Sequence, residues 1–215
     1  LKAVRDICDK YGILMICDEV MVGLGRTGKW FAVDHWDVVP DIITMAKGLT
    51  ASYLPLGCVA MSEKIAAHFG DNVFYGGLTY NAHPMCLAAG KAVLEVLEKD
   101  YLIGNSERMG NVMAGLLADL KQKHPSVGDV RSLGLFGGIE VVKNRETKEM
   151  MAPFNGTSGP MNKLGGFLRE QGVSTMIHWN KIFTTPPLII NEQQLKETFE
   201  VLDESLNITD EAYEG

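Results

Sequence analysis

Long apolar runs are what this 215-residue sequence most plainly lacks. No stretch approaches the roughly 20 consecutive apolar residues that a membrane-crossing helix needs, so no membrane partner is expected. Positive charge is also short. Twenty Lys and Arg stand against 27 Asp and Glu, a net charge of −7, which argues against nucleic acid or an anionic lipid surface as the main partner. Cysteine is scarce and scattered. Cys8, Cys17, Cys58 and Cys86 show no metal-type spacing, and Cys17 and Cys58 lie inside apolar runs, where a thiol serves as a small core hydrophobe. A reducing, cytoplasmic compartment is the expectation. His35, His68, His83, His124 and His178 form no ligand pattern, so no metal is assigned. Internal repeats and low-complexity segments are absent. No signal peptide is expected. Leu1, Val4, Cys8 and Tyr11 instead follow helical spacing with no capping residue ahead of them, which leads us to expect that an N-terminal part of a longer protein precedes them.

What is present is ordinary globular material, 46% apolar and 22% charged, enough for one large domain or two small ones. Two short apolar runs organise it. Ile13-Leu14-Met15-Ile16-Cys17 ends in Asp18-Glu19, and Ile42-Ile43-Thr44-Met45-Ala46 ends in Lys47-Gly48. Each has the length and residue types of a fully buried strand. Each stops at a charged side chain, and Asp and Lys are rarely buried unless paired. Both are therefore expected at a strand mouth, where open α/β sheets bind their ligands.

The remaining elements follow from periodicity and punctuation. A helix is expected over 1–11, stopped by Gly12, with strands at 13–18, 41–46 and 57–61. Helices are expected at 62–69, capped by Ser62, at 82–98, and at 106–123 ahead of Pro125. From Val130 the pattern changes. A strand with internal glycines is expected at 130–142, a polar loop at 144–159, a helix at 160–171 and short strands at 173–177 and 181–185. Asn191 caps a last helix to about Leu206, and an acidic tail follows. The order suggests residues 1–125 as part of one α/β domain and residues 126–215 as a smaller α+β domain.

Lys47 is the sharpest candidate. An amine desolvated or placed beside a cation becomes a nucleophile and condenses with an aldehyde, and the small residues of Met45-Ala46-Lys47-Gly48 leave room for a ring. The plain alternative is a surface lysine. Asp18 could pair with a pyridinium nitrogen and keep it protonated, or could pair with an arginine. Val20, two residues on, shares a strand face with Asp18 and could pack on a ring or in the core. Glu19 points to the other face, as a structural acid would. Gly23-Leu24-Gly25-Arg26-Thr27-Gly28 contains GxGxxG but joins no strand to a helix. It is expected to be a mobile loop at the site rim, with Arg26 binding an anion or tying the loop down. Thr79 stands just before a helix, where hydroxyls and N–H groups bind phosphate or simply cap. His178 and Trp179 are candidates for a pocket wall, with a satisfied, half-buried histidine as the alternative.

Together these residues resemble class III aminotransferases, the ω-type branch of fold-type I enzymes that use pyridoxal 5′-phosphate (PLP). The resemblance is carried by Ile16-Cys17-Asp18-Glu19-Val20, Gly25-Arg26-Thr27-Gly28, Pro40-Asp41-Ile42-Ile43, Ala46-Lys47-Gly48, Pro55-Leu56-Gly57 and Thr79-Tyr80-Asn81-Ala82-His83-Pro84. They occur in order, with 29 residues from Asp18 to Lys47 and 32 from Lys47 to Thr79. Met15–Trp30 and His178-Trp179-Asn180 look most like the taurine–pyruvate branch. The resemblance implies a fold-type I chain comprising part of the large PLP domain and a small α+β C-terminal domain. Lys47 would form the Schiff base with PLP and shuttle the proton. Asp18 would bind the pyridine nitrogen, Val20 would pack on the ring, and Thr79 would contact the cofactor phosphate across a homodimer interface. The implied reaction moves an amino group from a small ω-amino donor such as taurine or β-alanine to pyruvate or another 2-oxo acid. An aminomutase on the same scaffold, or a non-catalytic assembly module, are the alternatives. Two features depart from the family. The implied enzymes are about twice as long, and no glycine/serine phosphate loop or ring-stacking aromatic is found here. No arginine precedes Pro186-Pro187-Leu188 where some relatives bind a carboxylate.

Overall fold

The computed structural model describes all residues, 1–215, as two compact units, residues 1–104 and 105–215. The first unit opens with helix α1, Lys2–Tyr11. Gly12 ends it in the left-handed conformation (φ 63°), its N–H bonded to the Asp9 carbonyl, as a residue without Cβ allows. Strands β1 (Ile16–Asp18), β2 (Ile42–Met45) and β3 (Cys58–Met61) form one sheet in that order. β1 and β2 are parallel and β3 is antiparallel to β2. Helix α2 (Glu63–Asp71) follows, then an irregular stretch, then α3 (Pro84–Lys99), which has Pro84 in its first turn, where a missing N–H costs nothing.

The strands were expected to be buried on both faces, and they are not. Ile16 is 61% exposed and Val59 59% exposed. Within this unit only Cys8, Met15 and Val38 form a buried cluster, with Cys17 against it. Much of the sheet is therefore uncovered by the unit's own residues. Cys58, expected in a core, is exposed for the same reason.

The second unit takes most of helix α4 (Leu102–Lys123), together with strands β4 (Val127–Leu133), β5 (Phe136–Asn144), β6 (Glu149–Met150), β7 (Ile177–His178) and β8 (Lys181–Thr184) and helices α5 (Gly159–Glu170) and α6 (Glu192–Asp210). The sheet runs β4-β5-β8-β7, antiparallel throughout, with β6 on β5. The single strand expected over 130–142 is a hairpin. Leu133 pairs with Phe136 across Gly134, whose φ of 55° makes the turn. The expected polar loop after Asn144 contains β6 and the fully buried Met151 and Ala152. The strand expected at 173–177 shrinks to Ile177–His178.

Met109, Met113, Leu117 and Leu120 recur at helical spacing along α4. They meet Leu164 and Leu168 of α5, Leu195, Phe199 and Leu206 of α6, and Ile139, Val141 and Ile182 of the sheet in one core. Asn191 caps α6 in a reciprocal capping box with Gln194. α6 runs past Leu206 to Asp210, and the acidic tail is tied back, Glu214 N–H to the Lys143 carbonyl at 2.7 Å. No helix is long and apolar enough to cross a membrane.

Candidate active site

The first unit's sheet brings Asp18 and Lys47 to one edge. β1 and β2 are parallel, with Asp18 opposite Thr44. Both chains leave the sheet at the same end, and Lys47 lies three residues beyond Thr44. Both side chains are exposed there. Asp18 Oδ1 accepts the Val20 N–H at 2.9 Å, closing a turn of the Asx type. Its Oδ2 and the Lys47 amine have no partner within the chain. Lys47 opens a 3-10 turn, Lys47–Leu49, with φ of 37°. A non-glycine residue there is strained by about 1–3 kcal/mol and must be held by its surroundings. The holders are visible. Leu49 N–H bonds the Ala46 carbonyl at 2.8 Å. A Cβ on Gly48 would meet Leu24 at 3.5 Å, and Gly90 of α3 lies against Leu56 and the Leu49 carbonyl.

Val20 stands near Asp18 for a reason other than the one expected. β1 ends at Asp18, so strand alternation does not reach Val20; the Asp18 carboxylate draws its N–H into the turn. Thr79 lies outside this mouth, exposed in the stretch between α2 and α3. Val73, Phe74, Tyr75, Leu78 and Tyr80 around it are exposed as well.

The glycine-rich segment is not the mobile rim loop expected. Gly23, Leu24, Gly25, Thr27 and Gly28 are buried. Leu24 N–H bonds the Trp30 carbonyl at 2.6 Å and Gly28 N–H the Gly25 carbonyl at 3.0 Å. His35 Nε2 donates to the Thr27 carbonyl at 3.0 Å. Burial lowers the proton affinity of the Arg26 guanidinium. Glu19 is structural, as expected, although β1 ends one residue before it. It is 3% exposed, and its two oxygens accept the N–H groups of Ala32 (2.9 Å) and Val33 (3.0 Å). These belong to a second 3-10 turn, Ala32–Trp36. Burial raises the Cys17 thiol pKa, and the Glu19 charge adds to it, which favours the protonated thiol.

Sequence reasoning missed Asp41, which accepts both the Met15 N–H and Arg5 Nη1 at 2.8 Å. Its only sequence signal was an acid directly ahead of an apolar run. In the second unit His178 is exposed rather than half-buried, and Trp179 packs on Phe154 with ring centres 4.3 Å apart. His124, unremarkable in sequence, is buried between Asp210 (2.6 Å) and Asp203 (3.0 Å). No group of histidines, cysteines and acids in the chain has the arrangement of a metal site.

The profile of the family described as Aminotransferase class-III matches residues 1–206. The chain belongs to that family. Class III aminotransferases use PLP. This class III chain is 37% identical to a taurine–pyruvate aminotransferase of Bilophila wadsworthia, over 99% of its own length and 48% of the relative's. It is also 37% identical to an adenosylmethionine-8-amino-7-oxononanoate aminotransferase of Anoxybacillus flavithermus, over 98% and 47% of the two lengths. Among solved structures it matches a taurine:2-oxoglutarate aminotransferase of Bifidobacterium kashiwanohense, in complex with PLP and glutamate. That match has a TM-score of 0.95 and 42% identity, over 99% of this chain and 48% of that one. An (S)-enantioselective ω-transaminase of Thermomicrobium roseum gives a TM-score of 0.90 at 35% identity, covering 97% and 46%. The fold is thus the α/β fold of PLP-dependent transaminases, and the chain spans about half the length of the relatives it matches.

Proposed function

We propose that this chain is the catalytic C-terminal part of a cytoplasmic PLP-dependent aminotransferase. In this reading residues 1–125 contribute to the cofactor-binding domain and residues 126–215 form its small domain. One observation carries the reading: an unpartnered carboxylate oxygen and an unpartnered amine leave two parallel strands at the same end. That donor set fits PLP. A ring cation needs an acid, an aldehyde needs an amine, and Gly48 keeps the turn beside the amine narrow.

Asp18 would hold the pyridine nitrogen as a hydrogen-bonded ion pair, and Val20 would lie against the ring. Lys47 would hold the aldehyde carbon until the donor's amine takes its place, and the amine so freed would move a proton from the carbon bearing the donor's amino group. The cofactor, when bound, supplies the electron sink that makes that proton removable. The same amine would return a proton to the carbon of the oxo acid that receives the amino group, so that donor and acceptor would exchange amino and oxo groups one for one. Taurine and β-alanine are the first donors to consider, with pyruvate and 2-oxoglutarate as acceptors. The names of two relatives support that choice. Thr79 would reach the cofactor phosphate of a second copy in a homodimer; its exposure among uncovered apolar side chains supports this.

Lys47→Ala in the PLP-loaded enzyme is expected to lose the visible absorbance band of the lysine-bound cofactor and turn over no donor. An unchanged band defeats the assignment. Amino transfer between a separately supplied donor and acceptor separates an aminotransferase from an aminomutase. Thr79→Ala is expected to weaken PLP binding about tenfold or more, the loss of a hydrogen bond to a charged group. Equilibrium dialysis against PLP measures it.

A further inference from the structure

Glu19 uses every hydrogen-bonding group it has. Its N–H donates to the Thr44 carbonyl at 2.9 Å, and its own carbonyl accepts the Gly23 N–H at 2.9 Å. Its carboxylate holds Ala32 and Val33, 13 and 14 residues on. A Cβ on Gly23 would lie 2.8 Å from the Glu19 carbonyl oxygen, so the chain must pass there as glycine. These contacts reach both reactive residues. Asp18 is the preceding residue. Thr44 is three residues ahead of Lys47 on β2. Gly23 begins the buried loop whose Leu24 lies under Gly48.

A carboxylate removed from water is stable only where its oxygens are matched by donors. Here the donors are two successive amides of one 3-10 turn, which fixes the direction of the carboxylate as well as its position. The strained backbone of Lys47 needs such a rigid underlayer, because nothing in its own side chain anchors it.

We propose that Glu19 is a positioning residue for the reactive pair, setting where Asp18 and the Lys47 turn stand relative to each other. The catalytic consequence rests on the aminotransferase reading above; the mechanical one does not.

The test uses two variants that withdraw different halves of the interaction. Glu19→Gln keeps the shape but offers an NH2 to one of the two amide donors. Ala32→Pro removes one donor and leaves Glu19 intact. Residue 32 is the first of its turn and Phe31 before it is extended (φ −128°, ψ 148°), so proline is tolerated there. Asp34→Asn is the control. It loosens the same turn through the Phe31 N–H bond at 2.9 Å without touching Glu19.

In cofactor-free protein, amide hydrogen exchange at Glu19, Gly23, Leu49 and Ala51 is expected to quicken about tenfold or more in both variants and to stay unchanged in the control. Quickening confined to residues 31–37 overturns the proposal, because Glu19 then holds only its own turn. In PLP-loaded enzyme, Glu19→Gln is expected to lower kcat about tenfold with the donor KM little changed, and to move the pH at which the visible band titrates. A parental band and kcat in a folded Glu19→Gln enzyme also overturn it. If the parent itself forms no Lys47-dependent band with PLP, the aminotransferase reading fails, and the exchange measurement still decides the role of Glu19.

Discussion

Asp41 joins four segments through one residue. Its carboxylate takes the Met15 N–H and the Arg5 guanidinium, its N–H donates to the Met15 carbonyl, and its carbonyl accepts the Ser62 N–H. The Met15 hydrogen bond, followed by Arg5, holds the Asp41 carboxyl below the usual carboxylate range. A folded-state pKa below the unfolded one means that the unfolded chain takes up the proton first as pH falls. The stability Asp41 contributes is therefore full above about pH 4 and is lost as pH drops through the folded value. Asp41→Asn is expected to be less stable than the parent at pH 7 and to show a shallower loss between pH 4 and 2. Urea midpoints across that range measure it. At this scale the sequence exposes a residue when its signal is local. Asp18 and Lys47 each terminate an apolar run, and that is visible in six letters. The partners of Glu19 lie 13 and 14 residues away, and those of His124 lie 79 and 86 away. No spacing rule reaches that far, because such pairs depend on how the chain reverses.

Elements are legible where their period repeats often enough. α4 and α6 bury a residue every three or four positions, and both were expected with one end in place and the other four residues short. The short strands were less so. Gly134 looks like one more residue of a β run until its positive φ folds the run back on itself. The same glycine explains another. A Cβ on Gly110 of α4 would lie 2.4 Å from Gly134 Cα and 2.5 Å from its carbonyl carbon, and backbone cannot swing aside. Alanine in a helix gains about 1 kcal/mol over glycine, whereas overpacking against fixed atoms costs about 1–3 kcal/mol or more. Gly110→Ala is therefore expected to destabilise. Gly115, in the same helix with nothing within 4 Å, is expected to show the opposite sign on replacement by alanine. Paired denaturation curves decide both.

Over the whole molecule, the two units differ in how they bury their apolar residues. The second has a continuous core of side chains from three helices and a sheet. The first buries a small cluster and a few further residues, Leu24, Val33, Leu49 and Leu97, and leaves apolar side chains such as Ile16, Tyr53, Val59, Tyr75 and Tyr80 in the open. Patches of that kind mark surfaces that other protein covers. This chain expressed alone is expected to bind the hydrophobic dye ANS strongly, and full-length relatives only weakly. Fluorescence titration of both compares them.

By itself the sequence determined the order of elements in the first unit, the charged residues ending two strands and the family, since each is written in adjacent letters or in motifs at set separations. Only the tertiary structure decided that the glycine segment is a buried strut, that Glu19 and Asp41 are anchors, and that the central strands stay uncovered in this chain. Burial and pairing depend on which distant segments are brought alongside, and an apolar run reads the same whether or not anything covers it.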